Sequence, residues 1–213
     1  MLVLDDVIEA PPPWWPVEFR VRQACQDWEV AQALNLRRAV FCIEQGIFQG
    51  DDRDAIDDQA QLLVAMSCQG GMPDQVVGTV RIVETAPGVW WGSRLAVHPS
   101  FRGQGPQGLK LGAHLGATLI RLAVSRAHAQ GAHTFMAHVQ AQNIPMFQKL
   151  NWRLHREVLL HGRAHGEMQA DLNAYPPCFD AISGMVVCAR VPLEQATKPV
   201  NHNSAALAAN AVA

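Results

Sequence analysis

From Thr85 to Arg156 the chain holds no aspartate and no glutamate, while eight Lys and Arg side chains fall in the same stretch. The net charge is only −2, so the asymmetry is local: residues 1–84 carry 14 acidic and 6 basic side chains. An acid-free block of this length gives a polyanionic ligand its electrostatic footing. Nucleic acid is not implied, because the pI is near 6.5 and the neighbouring aromatics are Phe and Trp in apolar surroundings.

Cysteine is scarce as well. The five (Cys25, Cys42, Cys68, Cys178 and Cys188) are odd in number, never closer than ten residues, and form no Cys-x-x-Cys pair. That spacing suggests neither a zinc knuckle nor a disulfide framework. The opening MLVLDDVIEA carries two aspartates and a glutamate where a signal peptide carries Lys or Arg, and no apolar run approaches membrane-spanning length. The expected setting is therefore reduced and cytoplasmic, with no membrane and no nucleic-acid partner. The length suits one domain with appendages. We expect a stiff Pro/Trp lead-in over 1–16, a compact domain over 17–172, an extension over 173–193 with an added strand, and a small, polar, disordered tail over 194–213.

Periodicity supplies the elements. Residues 17–24 alternate as a strand, and Asp27 is a plausible N-cap for a helix running to Gly46 with Val30, Ala33, Leu34, Leu36, Val40 and Phe41 on its apolar face. DDRDAIDD follows, and its charge density predicts a solvated surface loop. Strands over 61–69 and 75–85 are joined by GGMPD, and another strand covers 89–98. A helix through residue 131 places Leu111, Leu115, Leu119 and Leu122 at helical spacing. A strand over 134–140, a short helix over 143–150, a hairpin of 153–161 with 166–172, and a strand over 184–193 complete the order. This is a mixed α/β, α+β-like arrangement rather than the alternating β-α of a doubly wound domain.

Between the strand at 89–98 and the long helix lies GQGPQG, a letter-for-letter G-x-G-x-x-G. Three phosphate-binding readings compete. A P-loop needs Lys directly after the second glycine, then Ser or Thr for magnesium; Leu109, Lys110 and Leu111 stand there instead, which excludes it. A dinucleotide turn wants an acid about 20 residues on, and none occurs before Glu157, although Arg126 could serve a 2′-phosphate. The third reading is an acyl-CoA diphosphate, held by unpaired backbone N–H groups at a helix start.

The third reading is also where the sequence resembles a family. RLAVHPSFRGQGPQGLKLGAHL is similar to the central motif of the GNAT N-acetyltransferase superfamily. Four further segments resemble GNAT members in family order. LRRAVFCIEQGIFQGDDRD resembles an Arg-x-x-Val-Phe-x-x-Glu-Gln signature, read with Arg38, Val40, Phe41, Glu44 and Gln45 in a compressed form. VVGTVRI, QNIPMFQKLNW and HGEMQADL resemble a central strand, the helix after the fifth strand, and the closing strand. More narrowly, VFCIEQGIF, QNIPMFQKLNW and ADLNAYPP resemble an acetyltransferase family encoded beside bacterial nitrilase genes. The resemblance implies a mostly antiparallel, twisted sheet of six to seven strands with one splayed parallel pair and flanking helices.

It also implies acetyl-CoA as co-substrate, a small-molecule primary amine as acceptor, direct attack of that amine on the thioester, and a homodimer. Carried over residue by residue, the CoA-binding set is Leu95, Ala96, Val97, Arg102, Gly103, Gln104, Gly105, Gln107, Gly108, Asn143 and Phe147, with no metal. Two departures stand out. Gln107 occupies a position where Gly or Ala is usual, and Pro106 removes one N–H donor. Phe147 stands where many relatives place the tyrosine that protonates the leaving thiolate. The amine must lose a proton before attack, and Glu84, Glu44 and His98 are the candidate bases. His155, His161 and His165 lie near one another on the expected hairpin, but no metal site is expected there. The rival readings are a CoA-binding module without catalysis and a related acyltransferase such as an acyl-homoserine-lactone synthase.

Overall fold

The computed structural model describes residues 16–102 and 112–189. Its strands are β1 (Glu18–Gln23), β2 (Gln61–Gln69), β3 (Met72–Ala86), β4 (Val89–Val97), β5 (Thr134–Gln140), β6 (Trp152–Leu160), β7 (Arg163–Ala170) and β8 (Met185–Cys188). The α-helices are α1 (Asp27–Arg37), α2 (Gly112–Ala129) and α3 (Ile144–Gln148). The strands form one sheet in the order β6-β7-β5-β4-β3-β2-β1-β8, with β4–β5 its parallel pair. The expected architecture holds, with eight strands rather than six to seven; β8 pairs antiparallel with β1 from Glu18↔Cys188 to Val21↔Met185.

Two apolar layers sandwich the sheet. On one side Leu115, Leu119 and Leu122 of α2 are fully covered against Phe19, Leu63, Val80 and Phe135. Each such leucine contributes about 1.5–3 kcal/mol of burial. Gly78 sets how closely α2 approaches, because a Cβ there would lie 2.9 Å from Leu119 Cδ1. On the other side Ala33, Leu36, Val40 and Phe41 pack on Val64, Met66, Val76 and Ala96.

The first helix departs from its expected form. It is α-helical only to Arg37, and Arg38–Glu44 continue as a wider π-turn in which Gln45 N–H bonds to Val40 O at 3.0 Å. Gln26 rather than Asp27 is its N-cap. Val30, expected on the apolar face, is exposed, whereas Glu29 and Arg37 are completely buried. Both charges tolerate burial because each is paired. The Glu29 carboxylate accepts the backbone N–H of Cys25 at 2.8 Å and of Gln26 at 3.2 Å, and is salt-bridged to Arg22. It thereby satisfies the N–H groups just before the helix, as the glutamate half of a capping box with Gln26. The β2–β3 hairpin turns on Gly70 and Gly71 alone (φ +56° and +79°), with Met72 and Pro73 already in β3, because a two-residue turn of this hand requires positive φ twice.

Candidate active site

β4 and β5 pair only from Val89↔Thr134 to Gly92↔Ala137, yet β4 continues to Val97 and β5 to Gln140. Beyond Gly92 the strands part, and the cause lies in β4. Thr79 pairs with Ala96 and Arg81 with Ser93, so Arg94 and Leu95 together oppose Val80 and bulge outward. Arg94 adopts φ +55°, a conformation that costs a non-glycine residue about 1–3 kcal/mol. Its side chain supplies compensating anchors: Nε lies 2.8 Å from Asp52 Oδ2, the second nitrogen 3.0 Å from Asp54 Oδ2, and the guanidinium 4.5 Å from the centre of the Phe48 ring.

Those aspartates belong to DDRDAIDD, which is not the solvated loop its charge density predicts. Asp52 is buried and Asp57 nearly so. Arg37 bonds Asp52 at 2.9 Å and both oxygens of Asp57 at 2.6 and 3.0 Å. Arg81 bonds both oxygens of Asp54 at 2.6 and 3.1 Å, reaches Asp57 at 2.9 Å, and donates to Ser93 Oγ at 3.0 Å. Three arginines and three aspartates thus alternate in a neutral, largely buried network with Asp54 at its open edge, and charge pairing overrides the preference of the loop for water. Burial raises the Asp57 pKa, but the hydrogen bonds from Arg37 and Arg81 outweigh it and hold the carboxyl well below the usual range. The Arg81 hydrogen bonds likewise lower Asp54. Arg94 is lowered by burial and by its like-charged neighbour Arg81.

The parted strands open into a cavity of about 540 Å³. One wall is apolar and comes from the α2 side, with Ile120, Ala123, Phe135, Val139 and Phe147. The opposite wall is mixed, with Trp91, Arg94, His138, Gln140 and His165 from the sheet and Phe41, Gln45 and Phe48 from the π-turn and the chain after it. Gln45 stitches that segment to the far strands: its Oε1 accepts from Gln140 Nε2 at 2.9 Å and its carbonyl from Arg163 at 2.5 Å. Phe48 meets the His161 ring edge-on at 4.9 Å. The cavity therefore passes through the sheet, and two molecules can approach its middle from opposite faces. The inner edges of β4 and β5 beyond the fork offer backbone groups to an extended polyamide chain.

Several residues expected from sequence are brought to this place. Leu95, Asn143 and Phe147 line the cavity; Ala96 and Val97 continue the same bulged strand. Arg102 lies just past it, with Nε donating to Val97 O at 2.6 Å and the guanidinium forked on Glu44 at 2.5 and 2.9 Å. Gly103, Gln104, Gly105, Gln107 and Gly108 lie outside the described residues. The candidate bases are not gathered. Glu84 sits at the β3–β4 turn, where its carboxylate accepts the Gly88 N–H at 2.7 Å. His98 accepts the Ser100 N–H at 3.3 Å and faces a separate small depression, while Glu44 is engaged by Arg102. None of the three lines the large cavity.

Sequence reasoning missed His138 and Glu167. They face each other across the β5–β7 pair, with His138 Nε2 3.4 Å from Glu167 Oε2, and Arg156 bonds both oxygens of Glu167 at 3.1 and 2.9 Å. Those bonds from Arg156 hold Glu167 below the ordinary carboxylate range. Alternation in TFMAHVQ carries the signal: Phe135, Ala137 and Val139 are buried toward α2, so His138 and Gln140 must face the other side. The Arg-x-x-Val-Phe-x-x-Glu-Gln signature also needs no compression. Arg37, the buried arginine of the network, heads it at full spacing, where Arg38 was expected.

The sequence profile of the acetyltransferase (GNAT) family matches residues 30–152. Among curated proteins none matches the chain. Solved structures similar to it include a Lactobacillus plantarum protein assigned as an N-acetyltransferase, 22% identical with TM-score 0.60, over 72% of this chain and 98% of that one. Escherichia coli ElaA is 18% identical with TM-score 0.55, over 73% and 99%. The CoA-dependent acyl-homoserine lactone synthase BjaI, solved with SAM and isopentyl-CoA, is 16% identical with TM-score 0.59, over 78% and 94%.

Proposed function

The chain belongs to the acetyltransferase (GNAT) family, and we propose that it transfers an acetyl group from acetyl-CoA to the primary amine of a small molecule. The observation that carries this reading is the cavity running through the β4–β5 fork, which lets donor and acceptor meet from opposite faces. In this reading the CoA diphosphate rests on the turn over 102–108, with Arg102 as its charged partner and backbone N–H groups at the start of α2 as its donors. The pantetheine arm lies in the fork against Leu95 and Phe147, and its amides pair with the freed edge of β4. A backbone N–H among Leu95, Ala96 and Val97 polarises the thioester carbonyl as negative charge develops on its oxygen. Asn143 stands at the lip of the same slot.

The acceptor occupies the mixed wall. An amine is protonated at pH 7, loses a proton, and attacks the carbonyl carbon; the tetrahedral intermediate then expels the thiolate. The five unpaired cysteines support a reducing, cytoplasmic setting. The test is thiol release from acetyl-CoA across a panel of primary amines, run beside isopentyl-CoA as donor and SAM as acceptor. Release that depends on a simple amine supports the reading. Release only with the longer acyl group and SAM would favour the lactone-synthase alternative, and CoA binding without release would favour a non-catalytic module.

A further inference from the structure

We propose that His138 is the general base of the acyl transfer and that Glu167 positions it. The proposal rests on the acyltransferase reading above and fixes what that reading leaves open, the destination of the acceptor's proton.

Place is the first argument. Parallel pairing ends at Gly92↔Ala137, so His138 is the first β5 residue past the apex of the fork. It lines the cavity on the mixed wall, where the acceptor approaches. Its ring lies 4.9 Å from that of Trp91 on β4, the last strand before the opening. Donor arm and acceptor converge at that point.

Tautomer is the second. The Glu167 carboxylate lies 3.4 Å from His138 Nε2 and, held by Arg156, is ionised. A carboxylate facing Nε2 favours the proton on that nitrogen and leaves the Nδ1 lone pair to accept another. The same carboxylate stabilises the imidazolium that results, as a third group does in hydrolytic triads. The charged groups facing His138 across the sheet are Glu167 on β7 and, beyond it, Arg156 on β6.

Access to water is the third. The His138 side chain is 34% exposed, so a proton taken from the acceptor can pass to solvent. Of the other histidines lining the cavity, His161 lies in the β6–β7 turn with its ring edge-on against Phe48, and His165 is buried, with its Nδ1 2.9 Å from Arg163 O. It also sits one row farther from the apex, opposite Gln140.

The step balances. His138 Nδ1 takes one proton from the acceptor's ammonium group and releases it to water. The free amine forms the N–C bond, the C–S bond breaks on collapse, and the second nitrogen proton goes to the thiolate, giving amide and free CoA thiol.

The experiment compares wild type with His138→Ala, His138→Gln, Glu167→Gln and the control His155→Ala, whose side chain is exposed on β6 and outside the cavity. Each is measured for acetyl-CoA affinity by calorimetry and for kcat and KM against pH with an accepted amine. Both His138 variants should lose on the order of 10²–10⁴-fold in kcat/KM at neutral pH, with acetyl-CoA affinity within about twofold of wild type. Their rates should rise with pH toward the amine's own titration, without the levelling that a histidine base gives between about pH 5 and 8. Glu167→Gln should lose about tenfold in kcat with the KM for the amine and the acetyl-CoA affinity near wild type, because the base is no longer held in place; a merely structural role would show as lost affinity or stability instead. His155→Ala should match wild type. Wild-type activity retained in both His138 variants, with an unshifted profile, would overturn the proposal and leave the acyltransferase reading standing. A wild type that acylates no amine overturns both.

Discussion

Arg102 forks its guanidinium on the Glu44 carboxylate at 2.5 and 2.9 Å, joining the last turn of the π-helix to the strand that opens the sheet. About a third of each side chain is exposed, so the pair itself contributes only about 0–1 kcal/mol. Its interest lies in competition, since the CoA diphosphate of the proposed donor pose draws on the same guanidinium. Arg102→Glu should weaken acetyl-CoA binding by roughly 1.5–3 kcal/mol. Glu44→Gln should leave the fold intact and tighten binding slightly. Calorimetry giving unchanged affinity in the arginine variant would remove Arg102 from the donor site.

The buried network invites a second test. Removing one partner of a buried ion pair leaves an uncompensated charge and costs about 3–5 kcal/mol. Arg37 serves two carboxylates, so Arg37→Ala should cost at least that much, measured by urea unfolding. Arg94→Ala should be milder, because it removes the positive-φ arginine that is partly open to the cavity while Arg81 still holds Asp54. It should instead lower turnover, since the bulge that opens the fork loses its anchors. A destabilisation by Arg94→Ala equal to that of Arg37→Ala would contradict this division.

The loop's aspartates also make stability depend on pH. Asp54 and Asp57 titrate lower in the folded protein than in the unfolded chain, so their contribution is fully present above the unfolded value of about 4. It is lost progressively as pH falls through the folded values. Unfolding midpoints should therefore be flat from neutrality to about pH 5 and drop steeply below pH 4. Asp57→Asn should flatten the acid limb while lowering the plateau. An acid limb unchanged in that variant would show that other carboxylates govern it.

These residues also mark how far the sequence could be read. Strand positions and the leucine stripe of α2 follow from period and turn chemistry, because one apolar face must meet one core; the parallel pair was implied by the family resemblance. DDRDAIDD could not be placed that way: its charges look solvated until Arg37, Arg81 and Arg94, from three other elements, arrive beside them. Pairing at sequence distances of 15 to 42 residues leaves no local pattern. Leu95, Asn143 and Phe147 were legible as neighbours in one cavity only through the family resemblance. His138 was not, because its meaning depends on Glu167 across the β5–β7 register.

Phe147 sits on α3 beside the fork. Its ring is buried, packs edge-on against Trp152 at 5.0 Å, and lines the apolar wall of the fork. The one tyrosine of the chain, Tyr175, does not replace it: its hydroxyl bonds to Leu150 O and accepts from Trp152 Nε1 at 3.0 Å, behind the wall. With the thioester in the fork as proposed, Phe147→Tyr adds a hydroxyl beside the leaving thiolate. General acid catalysis is typically worth 10²–10⁴-fold, but a protein that works without this donor has another proton source. Turnover should thus rise by about tenfold or less, with acetyl-CoA affinity within about twofold of wild type. A hydroxyl left unpaired in the core would instead cost about 1–3 kcal/mol and lower the melting temperature. Turnover and thermal unfolding measured on the same preparation separate the two cases. Stability loss without a gain in rate would place the ring edge in the core and not at the sulfur.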